Sequence, residues 1–279
     1  MKILFTGSSG PKAAAKVAAR LASEHEVVGL DLQPAPTTAH VADITRITDW
    51  QPYLDGVAAV VHFAALHAPH RTTHARADFL RLNVDATAML VESAKRAGVK
   101  RFLLASTTSV YGRAMRSNAR AVWVTEALTP VAEDIYDETK LAAEAICRDA
   151  FAPNFVTAAL RFSRAFPEPV SLMALYRLYR GVDARDVAQA FSLALDIPLT
   201  DFEVFNISGA TPFQEADCDQ LMHDAATVLT ARCPALVEAF AQRKWPLPSS
   251  IDRVYVIAHA ARVLGYAPAF GWQSALDSD

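Results

Sequence analysis

The sequence predicts an α/β fold, a doubly wound parallel sheet followed by a small C-terminal lobe. Short runs rich in Val, Ile, Leu and Phe alternate with longer Ala-, Leu- and charge-rich stretches of helical spacing. This alternation is typical of a parallel sheet with helices on both of its faces. The short runs also lack an alternation of polar and apolar residues, as expected for strands buried on both sides.

Each expected strand precedes a helix or a polar loop. The expected strands are Ile3–Thr6, Val27–Leu30, Ala59–Phe63, Phe102–Ala105, Val156–Phe162 and Val204–Ile207. The expected helices are Pro11–Ser23, Arg76–Ala97, Tyr136–Ala150 and Ala184–Leu195, with Asp219–Gln242 and Tyr255–Leu264 in the looser tail. We therefore expect a main domain over residues 1–207 and a small substrate-side lobe over residues 208–279.

Composition excludes several classes of protein. The 279 residues carry 27 basic and 30 acidic side chains, a net charge of −3 that supplies no broad positive field for nucleic acid. Hydrophobic residues make up 52% and charged residues 20%, which disfavours a disordered chain. The densest apolar run, Val57–Leu66, is about half the ~20 residues of a membrane span. Three cysteines at unrelated spacings indicate neither disulfides nor a CxxC metal site, and favour a cytoplasmic location.

A glycine-rich turn, Gly7-Ser8-Ser9-Gly10, lies between the first expected strand and the first helix. Glycines let the backbone approach a pyrophosphate, and the N-terminus of the next helix faces its charge. A tight strand-to-helix turn also requires glycine for purely structural reasons. Asp31 ends the second strand, where a carboxylate binds the ribose hydroxyls of adenosine and repels a 2′-phosphate. The two features predict a dinucleotide site that prefers NAD to NADP, unless Asp31 merely caps a surface turn.

Tyr136 and Lys140 stand at i and i+4 near the start of an expected helix, so they project from one face. A phenol is a weak base at neutral pH, but a nearby ammonium and an oxidised nicotinamide favour the phenolate. The same spacing also arises by chance, as a half-buried tyrosine beside a solvated lysine. A hydroxyl-rich loop, Ser106–Gly112, follows the fourth strand at the edge where such sheets bind ligands. Together these residues predict acid–base chemistry on an alcohol.

These motifs occur in a fixed order along the chain. From the amino terminus they are Thr6-Gly7-Ser8-Ser9-Gly10, Asp31, His62-Phe63-Ala64-Ala65, Asn83-Val84, Ser106–Gly112 and Tyr136-xxx-Lys140. In this order the chain resembles an extended short-chain dehydrogenase/reductase of the NAD-dependent epimerase/dehydratase group. The resemblance implies a Rossmann fold, NAD as cofactor, and reversible hydride transfer at an alcohol carbon of a sugar or sugar acid.

The resemblance also implies roles for single residues. The catalytic positions fall on Tyr136, on Lys140 and on Thr107. The cofactor-binding positions fall on Gly7, Ser9, Gly10, Asp31, Asp43 (at the adenine), Ala64, Ala65, Asn83 (which steadies the active-site helix) and Lys140. Thr108 and Ser109, next in the hydroxyl loop, are candidate substrate contacts.

Departures from the family pattern bear on the reaction and the substrate. Sugar dehydratases of this group carry an Asp-Glu pair where this chain has Thr108 and Ser109, so we do not expect a dehydratase. Nucleotide-sugar epimerases insert a long segment where this chain has only residues 162–182. This compactness, together with the run Phe166-Pro167-Glu168-Pro169, resembles uronate dehydrogenases.

A short substrate segment leaves little chain to wrap a nucleotide, so we expect a small substrate that carries a carboxylate. Guanidinium groups match carboxylates in bidentate geometry, which makes Arg164, Arg177 and Arg180 candidate substrate contacts. On a surface helix the same arginines are ordinary solvated charges. The alternative is a nucleotide-sugar epimerase with an unusual nucleotide site.

Two further expectations concern metals and partners. His70 and His74 share a helical face, but no third ligand accompanies them, so no metal site is expected. In the resembling proteins the helices equivalent to residues 76–97 and 136–150 form a dimer interface, which implies a homodimer. The rival to an enzyme is a non-catalytic NAD-binding sensor or scaffold on the same fold. The complete set of Thr107, Tyr136 and Lys140 favours the enzyme.

Overall fold

The computed structural model of the protein describes residues 1–10 and 12–277. The strands within them are β1 (Lys2–Thr6), β2 (Glu26–Asp31), β3 (His40–Val41), β4 (Ala59–His62), β5 (Arg101–Thr107), β6 (Val122–Val124), β7 (Val156–Phe162), β8 (Glu203–Ile207) and β9 (Arg253–Tyr255). All except β6 and β9 form one parallel sheet in the order β3-β2-β1-β4-β5-β7-β8. This order confirms the predicted doubly wound sheet. Strands that precede β4 in the sequence extend the sheet to one side of β1, and later strands extend it to the other side. This switch in strand order between β1 and β4 opens a crevice at the carboxyl edge.

Helices cover both faces of the sheet. Those in the described chain are α1 (Ala13–Ala22), α2 (Gln51–Leu54), α3 (Arg76–Phe79), α4 (Ala86–Arg96), α5 (Ile135–Ala150), α6 (Val170–Tyr176), α7 (Ala184–Asp196), α8 (Cys218–His223), α9 (Ala225–Arg232), α10 (Pro234–Gln242), α11 (Ala258–Leu264) and α12 (Trp272–Leu276). A π-helical stretch, Leu80–Asp85, joins α3 to α4, so the expected long helix at residues 76–97 is present with a widened turn in its middle. The expected first helix begins at Ala13, and Pro11 lies outside the described residues.

The sheet is buried because successive strand residues point to opposite faces and are apolar on both. On one face Phe5 and Leu160 pack with residues of α1, α7 and α11. On the other face Leu4 and Phe102 pack with residues of α2, α4 and α5. Each such fully buried side chain contributes roughly 1.5–3 kcal/mol of burial free energy. The two apolar layers hold the carboxyl ends of the strands in fixed positions.

A smaller lobe lies at the carboxyl edge of the sheet. Its apolar core combines residues that follow β5, β7 and β8, among them Ala121, Leu175, Phe213 and Leu236. Strands β6 and β9 pair in parallel within this region. The lobe therefore draws on segments before residue 208. Helix α11, which follows residue 208, packs against the main domain on the α7 side of the sheet.

Two expected helices in the tail differ from the structure. Residues 219–242 belong to three helices, because Asp224 caps α9 and Pro234 starts α10. The expected helix at residues 255–264 begins only at Ala258, because Tyr255 ends β9. Pairing between β6 and β9 joins segments about 130 residues apart, and local periodicity carries no signal for such a partner.

The three cysteines are free thiols, with Cys147 and Cys218 buried. Burial raises the pKa of the Cys147 thiol to about 12, so it packs as a small apolar side chain. No helix in the described part of the chain has the length and apolarity to cross a membrane.

Candidate active site

The glycine turn is locked between the ends of two strands. Gly7 has φ +77° and donates its N–H to the Leu30 carbonyl at 2.9 Å. A Cβ on Gly7 would lie 2.6 Å from the backbone nitrogen of Ala64, so only glycine fits. Gly10 follows, and α1 starts at Ala13 with its positive N-terminal end at the turn. The backbone is therefore placed to meet an anionic group.

Asp31 lies beside this turn at the end of β2. Its Oδ2 accepts the Ser9 N–H at 2.9 Å, and its Oδ1 accepts the Gln33 N–H at 3.2 Å. An ionised carboxylate has about four acceptor positions, so two remain for hydroxyl groups. These free acceptor positions fit the hydroxyl donors of the adenosine ribose of a dinucleotide. Ser9 thus has a structural partner as well as its expected place at the cofactor.

Asp43 follows β3 and closes a turn. Its carboxylate accepts the Thr45 N–H at 2.9 Å and the Thr45 hydroxyl at 2.7 Å. Burial raises the pKa of Asp43, but the hydrogen bonds from Thr45 and the charge of Arg46 outweigh it and hold that pKa below its ordinary value. Ala64 and Ala65 follow β4, which is separated from β3 by β2 and β1 in the sheet. The expected adenine contact and the small residues thus lie on loops at the same edge of the sheet.

Two buried polar side chains fasten the loop that follows β4. Both ring nitrogens of His62 have partners, with Nδ1 2.6 Å from the Thr6 hydroxyl and Nε2 2.9 Å from the Thr87 hydroxyl. Burial, assisted by the charge of Lys140, lowers the pKa of His62 to about 3, so the ring is neutral. The second side chain, Asn83, lies in the π-helical stretch. Widened turns of this kind are frequent at functional sites.

Asn83 joins this loop to α5. Its Oδ1 accepts the Leu66 N–H at 2.8 Å, and its Nδ2 donates to the Leu66 carbonyl at 3.0 Å and to the Thr139 hydroxyl at 3.1 Å. Thr139 lies on α5 directly before Lys140. Asn83 therefore ties the loop after β4 to α5.

Thr107, Tyr136 and Lys140, expected to act together, lie where β5 ends and α5 begins. Asp134 caps α5 by accepting the N–H groups of Tyr136 at 2.8 Å and Asp137 at 3.2 Å. Tyr136 and Lys140 are 8% and 4% exposed, which excludes the solvated lysine that chance spacing would give. The Thr107 hydroxyl lies near enough to the Tyr136 phenol to lower its pKa by hydrogen bonding, so the loop and the helix meet there.

The charges around this phenol differ from those expected. Burial is the largest cause that raises the pKa of Tyr136, the Thr107 hydrogen bond lowers it, and Asp137 and Asp134 raise it further. Burial lowers the pKa of Lys140 to about 8. The expectation that Lys140 makes the phenol acidic is therefore incomplete. With these side chains alone, Tyr136 holds its proton at neutral pH.

Sequence reasoning missed a buried ion pair one helical turn beyond Lys140. Glu144 accepts two hydrogen bonds from Arg161, at 2.9 Å and 2.6 Å, and one from the Ser106 hydroxyl. The Arg161 guanidinium also lies 4.9 Å from the centre of the Tyr111 ring. An arginine within an apolar strand was the available signal, because buried charges require partners. The pair ties α5 to β5 and β7 beneath the candidate site.

The two candidate contacts in the hydroxyl loop have different surroundings. Thr108 is buried, 4% exposed. Ser109 is half-buried and donates its hydroxyl to Asp137 Oδ1 at 2.6 Å. Neither position carries the acid–base carboxylates that dehydratases of this group have in this loop. The nearest carboxylate, Asp137, comes from the helix instead.

Arg164 is the exposed member of the three candidate arginines. It forms an ion pair with Glu168 four residues on, and its guanidinium lies 5.4 Å from the centre of the Phe166 ring. The Lys12 ammonium lies 4.4 Å from the same ring. Arg164 thus remains on the loop after β7, next to the glycine turn.

The other two candidate arginines contact parts of the fold itself. Arg177 is buried and donates to Asp183 Oδ2 at 2.6 Å and to the Gly271 carbonyl at 3.0 Å. It therefore joins α6 and α7 to the C-terminal tail, because an arginine buried to this degree needs its donors satisfied. Arg180 stacks on Tyr176 at 4.9 Å from the ring centre. The Arg177 guanidinium is thus used inside the fold, whereas the half-buried Arg180 guanidinium keeps its N–H donors.

A histidine-containing loop lies beside the phenol. The His67 and Tyr136 ring centres are 6.0 Å apart, and the His67–His70 and His70–His74 centres are 5.9 and 5.4 Å apart. His70 Nδ1 accepts the His67 N–H at 2.8 Å, which orients that ring toward the backbone. Within the described residues no three His, Cys, Asp or Glu side chains are arranged to hold a metal ion.

Comparison with known proteins gives consistent matches. The model of the NAD dependent epimerase/dehydratase family matches residues 3–168. A 3-beta-hydroxysteroid dehydrogenase of Mycolicibacterium neoaurum is 31% identical over 155 residues, 51% of this chain and 41% of that protein. A UDP-glucose 4-epimerase of Erwinia amylovora is 28% identical over 181 residues, 58% of this chain and 52% of that protein. Each match spans less than two thirds of the relative's length.

Among solved structures, MoeE5 in complex with UDP-glucuronic acid and NAD has a TM-score of 0.72 at 22% sequence identity. The superposition covers 100% of this chain and 97% of MoeE5. At this level of identity the likeness establishes a shared fold. It extends through the C-terminal lobe, which the family model does not reach.

Proposed function

The chain belongs to the NAD-dependent epimerase/dehydratase family, and from that premise we propose that it is an NAD-dependent oxidoreductase or epimerase. The proposed reaction is reversible hydride transfer at an alcohol carbon of a sugar or sugar acid. The meeting of Thr107, Tyr136 and Lys140 at one point of the carboxyl edge carries this proposal. A sensor or scaffold on the same fold would have no need of a buried phenol and ammonium at that point.

The cofactor is held, in this proposal, by the glycine turn, by Asp31 at the adenosine ribose and by Lys140 at the nicotinamide ribose. NAD bound there supplies the hydride acceptor and a positive charge beside the phenol. Asp31 has two acceptor positions for the ribose and repels a 2′-phosphate, so NAD is preferred to NADP.

The proton steps fall to the protein. Thr107 orients the substrate hydroxyl, and the Tyr136 Oη takes its proton once a positive charge lies against the ring. Because burial raises the pKa of Tyr136, the neutral phenol is also a competent proton donor for the reverse reaction. Lys140 is buried one helical turn beyond Tyr136, and in this proposal its ammonium holds the nicotinamide ribose.

A second candidate, a nucleotide-sugar epimerase, is favoured by one observation. Arg177 uses its guanidinium group within the fold, which takes up one of the three contacts expected to select a small acid. The structural neighbour MoeE5 was crystallised with UDP-glucuronic acid and NAD. An epimerase returns the hydride to the same carbon and leaves NAD unchanged, so product analysis separates the two reactions.

We also propose that the enzyme is a cytoplasmic homodimer. Leu80 and Met89 lie on the helical segment from α3 to α4 and are 40% and 39% exposed, and this segment packs beside α5. Three free thiols suit a reducing compartment. A monomer mass in light scattering at micromolar concentration would contradict the dimer.

The testing experiment is a panel of sugars, sugar acids and nucleotide sugars incubated with NAD. Dehydrogenation is followed by the absorbance of the reduced nicotinamide, and redox-neutral epimerisation by NMR of the products. We expect turnover of at least one sugar or sugar derivative by the natural protein and none above background by a Lys140→Met variant. NAD binding without turnover of any compound would favour the sensor.

A further inference from the structure

Asp137 is a buried carboxylate that the proposed reaction does not use. It lies in the first turn of α5, directly after Tyr136, and is 3% exposed. Its Oδ1 accepts the Ser109 hydroxyl at 2.6 Å, and its Oδ2 accepts the Glu133 N–H at 3.0 Å. Both donors are neutral. A buried charge without a cationic partner is costly, so its retention beside the reacting phenol calls for a function.

We propose that Asp137 is a positioning residue of the active site, which holds the hydroxyl loop against α5 and sets a negative charge beside the Tyr136 phenol. This inference rests on the proposed oxidoreductase function. It assigns Asp137 no contact with substrate.

The positioning part follows from a closed ring of contacts. Ser109 donates its hydroxyl to Asp137 and its N–H to the Thr107 hydroxyl oxygen, at 2.6 and 3.1 Å. The Thr107 hydroxyl in turn lies near enough to the Tyr136 phenol to lower its pKa, and Tyr136 precedes Asp137 on the helix. Each contact in the ring limits the others, because moving the loop breaks the bonds at both ends. The Thr107–Tyr136 geometry therefore depends on the bond that Asp137 accepts.

The electrostatic part concerns when the phenol releases its proton. Burial raises the pKa of Tyr136 most, and the Asp137 carboxylate raises it further. The second carboxylate near the phenol, Asp134, is paired with Arg71 at the start of the helix. Asp137 forms no such ion pair in the described structure, and burial, with the charges of Asp134 and Glu133, raises its own pKa against the hydrogen bonds from Ser109 and the Glu133 N–H. Glu133 itself pairs with Arg116. The Asp137 charge therefore opposes loss of the proton until a positive charge lies against the ring.

Two other titratable groups face the phenol from the elements around it. Lys140 lies one turn along the same helix, and the His67 ring lies across from it on the loop after β4. His67 is exposed, and desolvation of its ring together with the charges of Lys140, His70 and Lys12 lowers its pKa to about 4. His67 is thus neutral above about pH 5 and does not titrate in the range that tests Asp137.

The test compares Asp137→Asn with Ser109→Ala in two measurements made with NAD present. The first is the pH profile of kcat for oxidation of an accepted alcohol. The second needs no turnover: the phenolate absorbance of Tyr136, taken as the difference from a Tyr136→Phe background, is titrated against pH. NAD affinity by calorimetry and the circular dichroism spectrum establish that each variant is folded.

Asp137→Asn removes the charge at constant size. The rise of kcat with pH and the rise of the Tyr136 phenolate absorbance with pH should therefore both move to lower pH. Ser109→Ala keeps the charge and breaks the ring of contacts, so its plateau kcat should fall several-fold without that downward shift. Glu138→Gln, on the same helix but exposed and paired with Arg76, is the matched control and should leave both measurements unchanged.

A phenolate titration of Asp137→Asn that coincides with that of the natural protein overturns the electrostatic part. A Ser109→Ala plateau equal to the natural one overturns the positioning part, and it does so even if Asp137→Asn fails to fold. The proposed function fails separately, if no compound in the panel is turned over while the phenolate titration still shifts.

Discussion

The Asn83 side chain donates to the Thr139 hydroxyl at 3.1 Å, and the same amide holds both backbone groups of Leu66. One residue on a widened helical turn thus fixes the loop after β4 and the helix that carries Tyr136 and Lys140. The candidate site depends on this joint, because its parts come from separate units of the sheet.

Replacing Asn83 by alanine should therefore weaken both the fold and the site. Asn83→Ala leaves the buried Leu66 N–H and carbonyl without partners, so the free energy of unfolding should fall by about 1–3 kcal/mol. We expect a lower kcat in the variant at a temperature where it remains folded. Urea unfolding measures the first effect, and exposed Asn118→Ala, which should change neither quantity, is the control.

The cofactor preference tests the place of Asp31. We expect NAD to bind about tenfold more tightly than NADP or better, a difference of about 1.4 kcal/mol or more. Asp31→Ala should narrow that difference, because it removes both the ribose acceptor and the repulsion of a 2′-phosphate. Calorimetric titrations with the two cofactors provide the measurement. Equal affinities in the natural protein would contradict the assignment.

Lys140 should lower stability while it serves the reaction. Burial lowers its pKa to about 8 from an ordinary 10.5, so the folded state disfavours the ammonium. Lys140→Met should therefore raise the free energy of unfolding at pH 7 by about 2–3 kcal/mol. Above pH 8 the lysine loses its proton in the folded state before it does so in the unfolded state, so the natural protein should gain stability. The difference in unfolding free energy between the variant and the natural protein should therefore disappear toward pH 10.5. A difference in unfolding free energy between the two proteins that stays constant from pH 7 to pH 10 would contradict a buried ammonium at Lys140.

Arg177 should matter for stability rather than for substrate choice. Arg177→Ala leaves the buried Asp183 carboxylate without one of its partners and removes the bond to the Gly271 carbonyl. Loss of one partner of a buried ion pair costs about 3–5 kcal/mol. We expect a corresponding drop in thermal or urea stability with an unchanged KM for any acid substrate. Arg164→Ala, on the exposed loop, is the contrasting variant. A rise in KM for acid substrates in Arg177→Ala but not in Arg164→Ala would support the expectation that Arg177 contacts the substrate carboxylate.

The sequence was sufficient to predict a doubly wound parallel sheet, because mainly apolar runs such as Val156–Phe162 recur between helices. Spacing along a single helix also predicted that Tyr136 and Lys140 share a face. The contacts that surround them come from other elements, and one chain's periodicity carries no signal for those. The Ser109–Asp137 bond and the Arg177–Asp183 pair are of this kind. The β6–β9 pairing was missed for the same reason.

The central claim is that Tyr136 exchanges the proton in an NAD-dependent reaction, and Tyr136→Phe tests it most directly. This change removes the phenolic oxygen and keeps the ring, so turnover of the accepted substrate should fall by about 10²-fold or more while NAD binds with unchanged affinity. Turnover equal to that of the natural protein, with NAD affinity intact, would contradict the account.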